Sequence, residues 1–261
     1  MSKIITACIV LYKNDINELK NVINSIVNSK VKIDLILIDN SPTNELEILK
    51  TDNIEYLHNP SNPGFGASHN IAIKNSFARN SDYHLVLNPD IYFTEDTIEK
   101  LVEFMDSNED VGHIMPKILY PDGDFQYLCK KNPTIFDLFV RGFMPSFLKK
   151  ILKKRIDQFT YKEHNFDEII YNIPYLSGCF MMFRTSTLKD VGFFDDKIFM
   201  YLEDADITRR FLEVSKTVYY PFATVYHHYA GLTHKKFKYK WITIKSAFIY
   251  FNKWGWIKNI Y

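Results

Sequence analysis

The stretch Tyr83-His84-Leu85-Val86-Leu87-Asn88-Pro89-Asp90 combines an apolar run typical of a buried strand with an abrupt stop. Proline lacks a backbone N–H and cannot continue a hydrogen-bond ladder, so the strand is predicted to end at Pro89. Asp90 then lies at the carboxyl end of that strand, where open α/β sheets bind their ligands. A carboxylate there suits a divalent cation and a phosphate. A simple turn at Asn88 and Pro89 explains the same residues equally well when they are taken alone.

Strand-like and helix-like segments alternate through the first half of the chain, which predicts a parallel sheet covered by helices. The pattern breaks beyond Val111 and resumes near Ile169. The predicted strands are 4–11, 35–38, 54–57, 83–87, 169–176, 180–183 and one from 217, and the predicted helices are 15–27, 46–49, 67–77, 94–105, 185–191 and 204–214.

The composition is that of an ordinary globular protein, with 261 residues, 46% of them hydrophobic and 24% charged. This length allows a sizeable core. The 3 cysteines are widely spaced, which indicates neither a disulfide framework nor a zinc knuckle and favours a reducing cytosol. No apolar run reaches about 18 residues, so no transmembrane helix is expected. The first twelve residues lack a signal-cleavage pattern and are predicted to form a strand.

The net charge of +1 conceals two basic segments. The first lies in a helical insertion at about 130–165 within a main domain predicted at 1–234. The second is a basic aromatic tail at 235–261, which is predicted to pack on the domain or on a membrane surface. Lysines mixed with Trp, Tyr and Phe are typical of helices at a membrane surface. The alternative is that the aromatic residues pack on the domain while the lysines face water. Nucleic acid is not an expected partner, because the rest of the chain is acidic.

Asp39 follows the predicted strand 35–38 and is again a carboxylate at a strand's carboxyl end. Such a carboxylate can accept a hydrogen bond from the N3–H of uracil or thymine. A turn or helix cap is the alternative role for Asp39.

The segment 62–70, Asn-Pro-Gly-Phe-Gly-Ala-Ser-His-Asn, is a glycine-rich entry into a helix. It is not a dinucleotide fingerprint, because His69 stands where the third glycine is required. The N–H groups at such a helix start can still bind a nucleotide sugar. A tight turn that needs glycine is the alternative.

Glu203-Asp204-Ala205-Asp206-Ile207-Thr208-Arg209-Arg210 places three carboxylates at the head of a helix. They can be first-turn acids, and the spacing of Asp206 and Arg210 allows a purely structural pair. The aromatic-rich segment that ends at Tyr201 favours a binding surface instead. A carboxylate beside such a surface suits a general base that takes a proton from a sugar hydroxyl.

His227 ends the last predicted strand. A lone histidine in this position is more often a packing residue than a ligand. On the residues alone, both roles remain open.

Taken in order, these motifs resemble glycosyltransferase family 2 of the GT-A fold, in particular its rhamnosyltransferase-like members that build bacterial surface polysaccharides. The resemblance runs from about Ile4 to His234. It implies an α/β fold with a mostly parallel central sheet flanked by helices. It also implies inverting transfer of a sugar from a nucleotide-diphosphate donor, with dTDP-rhamnose as first choice and a UDP-hexose as second. The implied acceptor is a glycan or a polyprenyl-diphosphate-linked sugar, the implied cofactor is Mg²⁺ or Mn²⁺, and the implied location is the cytoplasmic face of the inner membrane.

The resemblance also assigns roles to single residues. Asp204 is the catalytic base, Asp90 and His227 are metal ligands, and Tyr201 and Glu203 lie on the acceptor side. Asn88 stands where the family's Asp-x-Asp motif usually has its first Asp. The donor-binding residues are Tyr12, Asp39, Asn62, Gly64, Asn70, Asn88 and Arg210.

Two other classes remain as alternatives. A nucleotidyltransferase needs a glycine-rich basic loop after the first strand, whereas this chain has Lys13-Asn14-Asp15 there. A non-catalytic sugar-binding or nucleotide-binding relative would keep the aromatic residues and lose the base, but Asp204 is present.

Overall fold

The structure is a computed structural model that describes residues 3–144, 150–228 and 237–256. The strands are β1 (Ile5–Leu11), β2 (Ile33–Asp39), β3 (Ile54–His58), β4 (Tyr83–Leu87), β5 (Ile91–Phe93), β6 (Val111–Leu119), β7 (Cys129–Lys130), β8 (Ile170–Tyr171), β9 (Tyr175–Leu176), β10 (Phe180–Arg184) and β11 (Lys216–His227). The helices are α1 (Ile16–Val27), α2 (Phe65–Ala78), α3 (Thr97–Ser107), α4 (Ile135–Phe143), α5 (Lys153–Phe159), α6 (Thr185–Val191), α7 (Glu203–Leu212) and α8 (Phe237–Trp254), with a short 3-10 helix at Glu45–Leu49.

The central sheet of the described residues has 9 strands in the order β3-β2-β1-β4-β10-β6-β11-β5, and β8 pairs with β11. β1 to β4 are parallel neighbours, and β6 is parallel to β11. β10 runs in the opposite direction between β4 and β6. The predicted α/β fold with a mostly parallel sheet flanked by helices is confirmed. Because β10 is reversed, its amino end meets the carboxyl ends of β1, β2 and β4 at one edge of the sheet.

The side chains of β4 explain its unbroken apolar sequence, because both faces of this strand are covered. Leu85 and Leu87 belong to the larger core cluster, which contains Leu19 of α1 and Leu101 of α3. Val86 points to the opposite face, in a cluster formed mainly by α2, α6 and α7. The helices therefore form a layer on each side of the sheet.

β6 corrects the prediction that regular structure breaks beyond Val111. This strand lies inside the sheet, although Pro116 within it cannot donate to a ladder. Opposite Pro116, β11 leaves register between Tyr220 and Thr224. The partner strand thus bulges where the proline lies, and the sequence pattern around Val111 does not report this compensation.

Two smaller differences concern element bounds. The predicted strand 169–176 is two short strands, β8 and β9, in different sheets, and Asn172 between them has φ 59°. The predicted helix 94–105 begins later, at Thr97, and the Thr94 hydroxyl donates to the Asp96 carboxylate before it.

The insertion and the tail pack together on α7. Leu138 of α4 contacts a cluster that includes Leu202, Tyr250 and Phe251. One face of α8 therefore packs on the domain, as the alternative reading of the tail predicted. The predicted boundary at residue 234 lies outside the described residues. None of the helices in the described ranges is long and apolar enough to cross a bilayer.

Candidate active site

Tyr12 and Asp39 lie side by side at the carboxyl ends of β1 and β2, because Leu11 pairs with Asp39. The Tyr12 residue is 48% exposed, whereas Asp39 is fully buried. The Asp39 carboxylate accepts hydrogen bonds from the Ser41 N–H at 2.8 Å and the Tyr56 hydroxyl at 2.7 Å. Burial and the Asp39 carboxylate raise the pKa of Tyr56, so this hydroxyl remains a donor. A carboxylate has about four acceptor positions, so these two bonds leave Asp39 able to accept another.

The turn at Asn62 and Gly64 packs directly against the segment before α7. Gly64 has φ 107°, and a Cβ added there would fall on the Phe199 backbone. The Phe65 N–H donates to the Phe199 carbonyl at 2.9 Å. Glycine is therefore required both by the backbone angle and by this close approach. Asn62 also has a left-handed backbone, with φ 46°.

Asn70 holds the aromatic segment 192–201 against α2. Its side-chain oxygen accepts from the Phe194 N–H at 2.9 Å, and its amide nitrogen donates to the Phe194 carbonyl at 2.9 Å. Both polar atoms of the side chain are thus engaged within the protein. This arrangement favours an indirect, positioning role for Asn70 over direct donor binding.

Asp90 and His227 face each other across the β5–β11 pair. Their Oδ1 and Nε2 atoms are 3.4 Å apart. Asp90 Oδ1 is buried and receives no hydrogen bond from the part of the chain that the structure describes. In the same residues no cluster of three or more His, Cys, Asp or Glu forms a metal site. Two protein ligands nevertheless fit Mg²⁺ or Mn²⁺, because Mg²⁺ is commonly held by one or two carboxylates together with substrate phosphates and water.

Asp204 lies in the first turn of α7 and points toward the loop before β10. Its Oδ2 accepts from the Gly178 N–H at 3.0 Å, and its Oδ1 accepts from the Ala205 N–H at 2.9 Å. A Cβ at Gly178 would lie 3.3 Å from the Asp204 Cβ. The absence of a side chain at Gly178 thus lets this loop approach the carboxylate.

The same loop connects the Asn88-Pro89-Asp90 motif to α7. The Asn88 N–H donates to the Cys179 carbonyl at 3.0 Å, one residue from Gly178. Burial raises the pKa of Cys179 to about 12, and the charges of Asp90 and Asp204 contribute to this increase. Both carboxylates therefore lie within electrostatic reach of one thiol. Asp90 and Asp204 therefore lie on either side of the same loop.

Glu203, the neighbour of Asp204, differs from it in its environment. The residue is 5% exposed, and its Oε2 receives no hydrogen bond from any described residue. Burial, and then the charge of Asp204, raise the pKa of Glu203 well above its usual range. The raised pKa favours the protonated form of Glu203, which can donate a hydrogen bond, and the predicted role of base stays with Asp204.

Asp206 and Arg210 form the structural pair that their spacing allows. The Arg210 Nε lies 3.1 Å from the buried Asp206 carboxylate. The other guanidinium nitrogens donate to the carbonyls of Val191 and Phe193, both at 2.8 Å. The guanidinium is thus committed to α7, to the last residue of α6 and to the segment that follows it. This arrangement does not support the predicted donor-binding role of Arg210.

Tyr201 and Leu202, directly before α7, both have left-handed backbones, with φ 69° and 72°. Two consecutive non-glycine residues in this region are unusual, and such strain concentrates at functional sites. The Ser246 hydroxyl of α8 donates to the Met200 carbonyl at 2.7 Å. The tail therefore helps to hold the strained turn that presents Tyr201 and the base.

The sequence profile of Glycosyl transferase family 2 matches residues 6–192. The chain belongs to this family. It is therefore a glycosyltransferase with the GT-A fold. In this fold Tyr12, Asp39 and Asp90 lie at the same edge of the central sheet, where β1, β2 and β4 end.

Three characterised relatives are named for sugar transfer. The enzyme is 27% identical over 213 residues to the N-acetylglucosaminyl-diphospho-decaprenol L-rhamnosyltransferase of Mycobacterium tuberculosis (strain CDC 1551 / Oshkosh), covering 77% of this chain and 68% of that one. It is 29% identical over 197 residues to the rhamnosyltransferase WbbL of Escherichia coli (strain K12), covering 72% and 69%. It is 27% identical over 206 residues to the low-salt glycan biosynthesis hexosyltransferase Agl10 of Haloferax volcanii, covering 77% and 59%.

Two solved structures share the fold. S. aureus TarS 1-349 in complex with UDP has a TM-score of 0.58 at 15% identity, covering 95% of this chain and 66% of that one. GalNAc-T7 with UDP, GalNAc and Mn²⁺ has a TM-score of 0.63 at 14% identity, covering 87% and 44%. The glycosyltransferase thus spans less than two thirds of these solved chains.

Two residues at this site had no role in the sequence-based prediction. Lys130 of β7 is buried, with its Nζ 4.3 Å from the centre of the Tyr175 ring. Its charge lowers the pKa of Cys179, which places it near the two carboxylates. In the sequence it was only one of many lysines in a basic segment. Gln126, which contacts His227, follows a turn at residues 120–124, and nothing in the sequence pattern showed that this turn brings it to the end of β11.

Proposed function

We propose that this glycosyltransferase transfers a sugar with inversion from a nucleotide-diphosphate donor to a hydroxyl of a glycan or a polyprenyl-diphosphate-linked acceptor. The observation that carries the proposal is the connection of Asp204 to the Asp90 motif through Gly178 and Cys179. Sugar transfer requires the acceptor hydroxyl, proposed to lie at Asp204, to come close to the donor diphosphate, proposed to lie at Asp90. dTDP-rhamnose is the first-choice donor, which the names of the relatives support, and a UDP-hexose is the second.

The donor's base would bind where β1 and β2 end. The exposed ring of Tyr12 offers a stacking surface. The buried Asp39 carboxylate beside it, which has acceptor positions left, is the proposed partner for the N3–H of thymine or uracil. The turn at Asn62 and Gly64 borders the same edge and leads into α2, whose amino end favours negative charge.

In the proposed reaction the acceptor oxygen attacks the anomeric carbon while Asp204 takes the hydroxyl proton. The bond from the anomeric carbon to the diphosphate oxygen breaks, and its electron pair leaves with the nucleoside diphosphate. Asp90 and His227 would hold Mg²⁺ or Mn²⁺, which when bound supplies positive charge for the leaving diphosphate. Tyr201 and the protonated Glu203 lie beside the base on the side proposed for the acceptor.

The enzyme is further proposed to work at the inner face of the cytoplasmic membrane. One side of α8 exposes Trp241, Ile244 and Phe248 at helical spacing. Phe136 and Phe139 of α4 are also exposed, and α4 and α8 share one cluster through Leu138. Exposed apolar side chains on the lysine-rich helix α8 and on the adjoining α4 suit an anionic lipid surface. A lipid-linked acceptor would be concentrated there.

A panel of nucleotide sugars tests the proposal. Binding of dTDP-rhamnose, UDP-glucose, UDP-N-acetylglucosamine and GDP-mannose is measured by calorimetry with Mg²⁺, with Mn²⁺ and with EDTA. We expect a thymidine or uridine donor to bind, and to bind more tightly with metal. Failure of every donor to bind would refute the assignment, and preference for the guanosine donor would refute the role of Asp39.

A further inference from the structure

Gln126 is a buried residue that no catalytic step uses directly. It follows the turn formed by residues 120–124, and its own N–H donates to the Ile118 carbonyl of β6 at 3.0 Å. Its side chain reaches the end of β11, which is 101 residues later in sequence. The glutamine therefore connects two neighbouring strand ends at the metal side of the site.

The orientation of the Gln126 amide is fixed by its acceptors. The Nε2 group donates to the His227 carbonyl at 2.8 Å and to the Leu119 carbonyl at 3.3 Å. Carbonyl oxygens only accept, so the NH₂ group must be on this side and the Oε1 on the other. Oε1 lies 3.0 Å from His227 Nδ1.

This orientation fixes the tautomer of His227. Because Oε1 is an acceptor, Nδ1 must carry the proton, and the neutral ring then has its lone pair on Nε2. Nε2 is the atom 3.4 Å from Asp90 Oδ1, a buried oxygen that receives no hydrogen bond from the described residues. Two electron-pair donors at this separation can both bind one divalent cation that lies to one side of the line between them, because Mg²⁺–oxygen distances are about 2.1 Å.

We propose that Gln126 is a positioning residue that holds His227 in the tautomer and ring orientation required to bind a divalent cation together with Asp90. The inference rests on the metal-dependent donor site proposed above. It adds the claim that metal affinity depends on Gln126. A metal-ligating histidine usually has its second ring nitrogen bonded to an acceptor, and loss of that partner typically weakens metal binding about 10- to 100-fold.

The test uses the variant Gln126→Leu and Mn²⁺ as the probe. Mn²⁺ binding in the presence of dTDP or UDP is followed by electron paramagnetic resonance, which is independent of turnover. We expect the dissociation constant for Mn²⁺ to rise about 10-fold or more, while nucleotide binding in EDTA stays as in wild type. The matched control is Gln158→Leu, at the only other glutamine of the sequence, which is expected to leave Mn²⁺ binding unchanged.

A double variant separates positioning from general damage to the fold. In a His227→Ala background, Gln126→Leu is expected to cause no further loss of Mn²⁺ affinity, because the residue acts through the histidine. Wild-type affinity in Gln126→Leu, or an equal loss with and without His227, would overturn the inference. Donor binding without any Mn²⁺ binding in wild type would also overturn it and leave the transferase proposal standing, whereas absence of all donor binding would refute that proposal instead.

Discussion

Asp204 accepts a hydrogen bond from the backbone N–H of Gly178 at 3.0 Å. A backbone N–H carries no net charge. It therefore fixes the carboxylate without forming an ion pair that would weaken its ability to accept a proton. The position of the proposed base thus depends on the loop that also touches the Asn88-Pro89-Asp90 motif. Substitutions in the loop should therefore affect transfer more than donor binding.

Gly178→Ala tests this dependence. The new Cβ would lie 3.3 Å from the Asp204 Cβ, which forces a shift of a few tenths of an ångström. Small misplacements of a catalytic group reduce turnover strongly, so we expect kcat to fall about tenfold with little change in the affinity for the nucleotide. Steady-state kinetics and calorimetry measure the two effects, and an unchanged kcat would contradict the proposed position of the base.

Asp204→Asn and Glu203→Gln should differ sharply. A general base contributes about 10²- to 10⁴-fold, so Asp204→Asn is expected to abolish transfer in a single-turnover assay while donor binding persists. Glutamine resembles the protonated acid that burial enforces at Glu203, so Glu203→Gln should retain transfer within a factor of a few. Substantial transfer by Asp204→Asn would move the base to Glu203 or Asp206.

The raised pKa of Glu203 also predicts a pH dependence of stability. In the unfolded chain this carboxyl titrates near about pH 4, whereas burial raises its pKa in the folded protein. The folded protein therefore keeps the Glu203 proton to a higher pH than the unfolded chain does. The contribution of this proton to the free energy of unfolding is complete below the pKa of the unfolded chain, and it is lost as the pH rises through the pKa of the folded protein. Urea unfolding at pH 5 and pH 8 should show a smaller difference for Glu203→Gln than for wild type, and an equal difference would contradict this.

Trp254→Phe tests the contact between α8 and α7. The Trp254 Nε1 donates to the buried Asp206 carboxylate at 2.8 Å, and its loss is expected to lower the free energy of unfolding by about 1–3 kcal/mol. Trp256→Phe is the matched control, because its Nε1 bonds only the nearby Asn252 among the described residues and its ring is partly exposed. Equal unfolding free energies for the two variants would contradict the role of the contact.

The membrane surface is tested by flotation with anionic liposomes. Replacing Trp241, Ile244 and Phe248 together by Ser should reduce flotation several-fold, because these side chains are exposed and form no part of the core clusters. The control replaces the exposed Ile48 and Val214 on other surfaces by Ser. Equal flotation of both variants would refute the membrane proposal. Truncation of the tail is a poor test, since it would also uncover Tyr250 and Phe251.

The sequence predicted those parts of the fold in which local pattern and tertiary environment agree. β4 and α6 have the predicted bounds, because a short apolar run between clear turn signals leaves little choice. β6 was missed because its proline is accommodated by a bulge in β11, a compensation made more than a hundred residues later. No local pattern reports such a compensation.

The candidate site shows the same division. The motifs around Asp90 and Asp204 were visible as carboxylates at the ends of elements, and the resemblance to a family gave them roles. The engagement of Asn70 by Phe194 and of Arg210 by two backbone carbonyls was not visible. Those contacts depend on which loop each side chain meets in space, and a single sequence does not contain that information.

The location of β11 has a consequence for how the enzyme is made. β5, directly after Asp90, pairs with β11 in the sheet, and β6 also takes β11 as its parallel neighbour. As the chain leaves the ribosome, β1 to β4 can assemble early, and with them the surface proposed for the nucleotide base. The edges of β5 and β6 that face β11 remain unpaired until β11 has emerged, and such edges recruit other strands. A pause in translation before Lys216 is therefore the stage at which a nascent chain is most exposed to aggregation and most dependent on chaperones.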